Sequence, residues 1–147
     1  MSAEENKELV RRFFKILQQE VWPSGNVQPA AALLAPDWVY HDPSTPLRGH
    51  EGFQQLMTMY RTAFPDGQFT IEDLVAEGDK VLTRFTARGT HTGELLGIPP
   101  SGKAVEFSVL SLVRIEAGKI AEEWERFDTA NMLQQIGAMP APRQAGA

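Results

Sequence analysis

The sequence predicts an α+β fold: a strongly curved, cone-shaped antiparallel sheet covered on one face by helices from the N-terminal part. Three observations carry this. Apolar stripes of helical period occupy the chain up to Phe64, interrupted by one short aromatic strand. From Gln68 onward the pattern alternates like strand, with tight turns at Glu77-Gly78-Asp79 and Ala117-Gly118, until a short final helix. Strands joined mainly by hairpins form an antiparallel sheet, and helices grouped ahead of them must bury their stripes against one of its faces. No glycine-rich phosphate loop follows a strand, which argues against a dinucleotide-binding fold.

The first helix spans Ser2 to Gln19. Leu9, Val10, Phe13, Phe14 and Leu17 recur at three- and four-residue steps, and Ser2 with Glu5 has capping-box spacing. Trp22-Pro23-Ser24-Gly25 breaks the chain. A second, shorter helix is expected from Val27 to Leu34, with Pro29 tolerated in its first turn and Pro36 ending it. Asp37 to His41 (DWVYH) reads as a short strand, and Asp42-Pro43-Ser44-Thr45-Pro46 as a loop stiffened by two prolines. Gly49-His50-Glu51-Gly52 leads into the third helix, whose stripe is Phe53, Leu56, Met57, Tyr60 and Phe64.

Four strands follow: Gln68 to Ala76, Lys80 to His91, Ala104 to Glu116 and Lys119 to Asp128. Between the second and third of these, Thr92 to Lys103 carries Leu95, Leu96 and Ile98 among glycines and prolines. Such a loop either folds over a cavity as a lid or packs on the sheet. TANMLQQIG is a short closing helix, and residues 140–147 read as a flexible tail after one domain of residues 1–139.

The totals restrict function. A chain of 147 residues with 42% hydrophobic and 22% charged residues buries a full core without staples. Net charge is −5 and no basic face gathers, so nucleic acid is not an expected partner. There is no cysteine, and His41, His50 and His91 lack ligand spacing, so no metal site is expected. No apolar run approaches the roughly 20 residues of a membrane span, and the charged start MSAEENKELVRR is unlike a signal peptide. A soluble, cytoplasmic protein is the expectation.

Strict alternation along the last strand puts Ile120, Glu122, Trp124, Arg126 and Asp128 on one face and Ala121, Glu123, Glu125 and Phe127 on the other. The first set mixes apolar and ionisable side chains, which suits a face that begins in a core and ends lining a pocket. Asp128 reads either as the cap of the following helix or as a pocket carboxylate.

The segments WVYHDP, GHEGF, GTHTGELLGIPPSGK and RIEAGKIAEEWERFDTANMLQQIG resemble the SnoaL-like polyketide cyclase family of the nuclear-transport-factor-2-like superfamily, across almost the whole chain. The resemblance implies a helix-wrapped cone (an α+β roll) with an internal ligand cavity and a homodimer as the usual assembly. It also implies intramolecular aldol ring closure or isomerisation without metal or cofactor, an aspartate on the last long strand acting as general acid/base. Asp128 matches that position, and His41 a position where the family often has a polar pocket residue.

On this reading Asp128 and His41 are the candidate catalytic residues, and Trp124, Arg126, His91, Phe14 and Tyr60 the candidate substrate contacts. Trp124 would supply an apolar wall that raises the Asp128 pKa, whereas an Arg126–Asp128 pair would lower it. His91 reads as structural or as a pocket residue beside the loop. Three functions compete: a cofactor-independent cyclase or isomerase acting on a small apolar or polyketide-like ligand; a non-catalytic protein holding an apolar ligand in the same cone; and an epoxide hydrolase, for which a second aspartate is not evident.

Overall fold

A computed structural model of the chain describes residues 2–41 and 46–140. The expected loop at residues 42–46 lies outside these except for Pro46, as does the expected tail beyond Pro140.

Helix α1 (Ala3–Ile16) starts on the capping box, the Ser2 hydroxyl accepting from the Glu5 amide and the Glu5 carboxylate from the Ser2 amide. It passes into a π-helical turn (Leu17–Val21) and a last turn, α2 (Trp22–Ser24), where Pro23 lacks a donor and the Trp22 amide reaches back to Leu17 O. The second helix is shorter than expected: α3 covers only Gln28–Ala31, because the chain from Leu34 is already strand. Strand β1 (Leu34–His41) runs through Pro36, and its register shifts between Leu34 and Val39, where a proline cannot donate to a ladder. After β2 (Leu47–Arg48) comes α4 (Gly49–Ala63).

Strands β3 (Gln68–Glu77), β4 (Lys80–Thr90), β5 (Ala104–Glu116) and β6 (Lys119–Phe127) then precede α5 (Thr129–Gln135). The curled six-stranded sheet has the order β2-β1-β6-β5-β4-β3. Every neighbour pair is antiparallel except β1 with β6, so the sheet is not purely hairpin-built. Helix α1 packs on β3 and β4, and α4 on β1 and β2. The core between them gathers Val10, Phe13, Trp38, Phe53, Val81 and Ile120. Among the described residues no helix is long and apolar enough to cross a membrane.

One irregularity decides which side chains face inward. A hairpin with the two-residue turn Ala117-Gly118, both at positive φ, pairs Glu116 with Lys119 and Ile115 with Ile120. The next pair is Arg114 with Glu122, so Ala121 is an extra residue on β6. This bulge exchanges the faces of everything beyond it. Ile120 stays in the core, but the inward set becomes Glu123, Glu125 and Phe127, while Glu122, Trp124 and Arg126 point outward. The expected face assignment of β6 is therefore reversed past its first turn.

Candidate active site

A cavity of about 100 Å³ lies between the concave face of the sheet and helices α1 and α4. Aromatic side chains come from every wall, including Phe14 of α1, Tyr60 of α4, Phe85 of β4, Phe107 of β5 and Phe127 of β6. Phe14 meets Phe85 edge-on at 4.9 Å between ring centroids, and Phe107 lies 5.3 Å from Phe127. Gly67 and Gly89 also line the space. A Cβ on Gly89 would lie 2.9 Å from Phe64 Cβ, and one on Gly67 would lie 2.6 Å from Trp22 Nε1. The Trp22 indole donates to Phe64 O at 2.9 Å, which ties α2 to the end of α4 at this wall.

Two carboxyl groups, with Arg88 of β4, break this apolar lining. Glu123 and Glu125, two residues apart on β6, project from the same face, and their side chains are hydrogen-bonded to each other. Glu123 is buried, and the Ser111 hydroxyl of β5 donates to its Oε2 at 3.1 Å. The Tyr40 hydroxyl, on β1, donates to Glu125 Oε1 at 3.1 Å. The pairing puts Tyr40 opposite Glu123 and Ser111 opposite Glu125, so three adjacent strands converge on the pair.

Burial holds the Glu123 carboxyl well above the usual carboxylate range, and the neighbouring Glu125 charge pushes it the same way; the Ser111 hydroxyl partly opposes both. Burial likewise raises the Tyr40 phenol, so it stays a neutral donor at any physiological pH. Two carboxyls in contact in an apolar cavity retain one proton between them, since both cannot ionise at that separation. Such a pair contains a base and an acid side by side.

Of the residues singled out from sequence, Phe14 and Tyr60 are on the cavity wall. Trp124 is not: it lies on the opposite face of the sheet, stacked on His41 at 5.1 Å and 13° between planes, which overturns its expected place as the wall beside Asp128. His41 shares that outer face, with Nε2 at 2.6 Å from Glu122 Oε2, and Arg114 Nε donates to Glu122 Oε1 at 3.1 Å. The His41 hydrogen bond, with Arg114 beside it, keeps the Glu122 carboxylate below its usual range. Arg126 is exposed, and its guanidinium donates to the backbone carbonyls of His41 and Glu125; among the described residues no ion pair joins it to Asp128, the question the sequence left open.

Asp128 is exposed and caps α5, its Oδ1 accepting from the Asn131 amide at 2.9 Å; it is not among the residues lining the cavity. His91 is fully buried away from the cavity. Its Nδ1 accepts from the Ser101 amide at 3.1 Å and lies 2.9 Å from Ser101 Oγ, while its backbone bonds Lys103 O and the Gly102 amide. It fastens the two ends of the 92–103 loop. That loop packs Leu95 and Ile98 against Phe64, Met132 and Ile136 and does not line the cavity.

The residues missed by sequence reasoning are Glu123, Glu125, Tyr40 and Ser111. A usable signal existed: Val105, Phe107, Val109, Ser111 and Val113 make one apolar face of β5, and Phe127 ends the β6 set that contains both glutamates.

The family model for SnoaL-like polyketide cyclases matches residues 9–136. Among curated proteins the chain is 30% identical to aklanonic acid methyl ester cyclase DnrD of Streptomyces peucetius over 115 residues, 77% of each chain. Among solved structures it is 34% identical to wild-type IdmH of Streptomyces antibioticus (TM-score 0.72, covering 90% of this chain and 98% of that one). It is 27% identical to TsrD of Streptomyces laurentii (TM-score 0.82, covering 95% and 99%). A helix-covered curled sheet with a cavity on its concave face agrees with a family match running from α1 through α5: the chain belongs to the SnoaL-like polyketide cyclase family.

Proposed function

We propose that this protein closes a ring in a polyketide-like substrate by intramolecular aldol chemistry, and that the Glu123–Glu125 pair, rather than Asp128, moves the protons. The observation that supports this is a hydrogen-bonded carboxyl pair inside a largely apolar, aromatic-rich cavity. The ionised member removes a proton from a carbon activated by adjacent carbonyls. The resulting enolate attacks a second carbonyl of the same molecule, forming the new C–C bond, and the developing alkoxide takes the proton held by the other carboxyl. Transfer of the abstracted proton across the pair restores the starting state. Substrate and product are isomers, so the cycle balances with no further reactant.

A protein that only held an apolar ligand would gain nothing from buried carboxyls, whose desolvation costs several kcal/mol per ionised group. This favours catalysis over the non-catalytic alternative. A cavity of about 100 Å³ holds roughly one ring, by comparison with ~150 Å³ cavities that take benzene. The reacting segment is thus enclosed and the remainder of the substrate lies toward the opening.

The outer face of the sheet supports a homodimer. Val75, Leu82, Leu112 and Trp124 fall in one cross-strand row, with Val75 and Leu82 exposed and Leu110 exposed beside it. A second copy covers this row; light scattering at micromolar concentration checks it, and a monomeric mass there would count against it.

Aklanonic acid methyl ester, the substrate named for the relative, is the first compound to assay. Wild type should convert it to an isomer of equal mass. Glu123→Gln and Glu125→Gln should each lower the rate by about 10²–10⁴ while melting cooperatively. Full activity in both variants would remove the pair from the mechanism.

A further inference from the structure

We infer that Tyr40 and Ser111 are positioning residues that make the carboxyl pair asymmetric, fixing Glu125 as the base and Glu123 as the acid. This rests on the proposed function of the pair and assigns its members.

The geometry distinguishes the two carboxyls. Glu125 accepts from the Tyr40 hydroxyl, a donor that cannot be displaced because Tyr40 is only 1% exposed. The Tyr40 hydroxyl donates to Glu125 beside its contact with Glu123, and such a bond stabilises a carboxylate. Glu123 receives one hydroxyl, from Ser111, at Oε2, which leaves its other oxygen to carry the shared proton. Glu123 is also the more deeply buried, and so the costlier place for a negative charge.

The groups that bond the pair or share its cavity come from five elements: Tyr40 on β1, Tyr60 on α4, Arg88 on β4, Ser111 on β5, and the pair itself on β6. The Arg88 guanidinium donates to Thr70 Oγ1 and Glu106 Oε1. Arg126 reaches only the backbone carbonyl of Glu125. Neutral hydroxyl donors and burial thus act directly on the two carboxyls. Tyr40 in turn spans the β1–β6 junction, the one parallel pairing of the sheet, so the strand that departs from hairpin order delivers the donor.

The test needs no substrate. Protein with ¹³C-labelled glutamate side chains is titrated by NMR in wild type, Tyr40→Phe and Ser111→Ala, with Glu123→Gln and Glu125→Gln used to assign the two signals. In wild type the Glu125 signal should titrate at lower pH than that of Glu123. Tyr40→Phe removes one charged-acceptor hydrogen bond and should move the Glu125 titration up by about one to two pH units. Ser111→Ala should move Glu123 further up and leave Glu125 in place.

The acid limb of the pH–rate profile with aklanonic acid methyl ester should shift upward in Tyr40→Phe by the same amount as the Glu125 signal. A purely structural Tyr40 would lower the rate at all pH values without moving the limb. Identical titrations in wild type and Tyr40→Phe, or Glu123 ionising first, would overturn the assignment. Loss of turnover in both Glu→Gln variants alongside such a result would leave the proposed function standing, so the two fail separately.

Discussion

Ser111 reaches diagonally from β5 to Glu123 on β6, with 3.1 Å between hydroxyl and carboxyl, and both residues are buried. That contact lowers the Glu123 pKa against burial and the Glu125 charge, which both raise it. The folded protein therefore keeps a proton that the unfolded chain releases above about its ordinary value of 4.5. A folded-state pKa raised in this way contributes stability below that value and loses it as pH rises toward the folded one. The loss is up to about 1.4 kcal/mol for each pH unit of the window.

Glu123→Gln removes the titration while keeping the shape. Its melting temperature relative to wild type should climb as pH rises above about 4.5 and hold a constant offset below it. Melts at pH 4, 6 and 8 check this. A pH-independent difference would mean the native carboxyl is already ionised.

Asp128 should behave as a helix cap. Asparagine caps about as well as aspartate, so Asp128→Asn should keep stability within a few tenths of a kcal/mol, whereas Asp128→Ala should lose about 1 kcal/mol with the bond to the Asn131 amide. Turnover of aklanonic acid methyl ester should be unchanged in the asparagine variant. A hundredfold drop there, without loss of stability, would return Asp128 to the mechanism.

Gly93 should be the least replaceable residue of the 92–103 loop. A Cβ there would lie 1.8 Å from Thr62 O, because the Thr92 and Gly93 amides both donate to Ala63 O at the end of α4. Gly93→Ala should cost about 3 kcal/mol, the upper end for overpacking. Gly97, at φ +81° with open space around it, is the control; its replacement by alanine should cost only about 1–2 kcal/mol from the left-handed backbone. Equal losses in chemical denaturation would show that the loop is not held against α4.

Most of the architecture could be read from residue patterns. The stripe of α1, the capping box and the two tight turns each obey a local rule, and the structure contains them. The site was harder to read because it depends on one inserted residue. With a two-residue turn and strict alternation, Trp124 would face Ser111 and the cavity; with Ala121 bulged, Glu125 does. No local signal in KIAEEWERF marks the bulge, since alanine fits either a regular strand or a bulged one. Tyr40 was hidden for a different reason. Its pairing with β6 bridges more than eighty positions of sequence, and a parallel contact leaves no turn signature between its strands. His41 and Trp124 stack on each other on the outer surface, away from the cavity.

Helix α5 has a second consequence besides covering the end of the core. Beyond the pairing of Val109 with Phe127, no strand among the described residues pairs with β5 on the β6 side. There the Gln135 side chain accepts from the Glu106 amide and donates to the Glu106 carbonyl, both at 2.8 Å. A single side-chain amide thus imitates the backbone of a missing strand. An open stretch of this kind is where foreign chains add themselves and fibres begin. By filling it, Gln135 protects the molecule against association through its own backbone, a duty that bears on how the protein survives at high concentration in the cell rather than on what it catalyses.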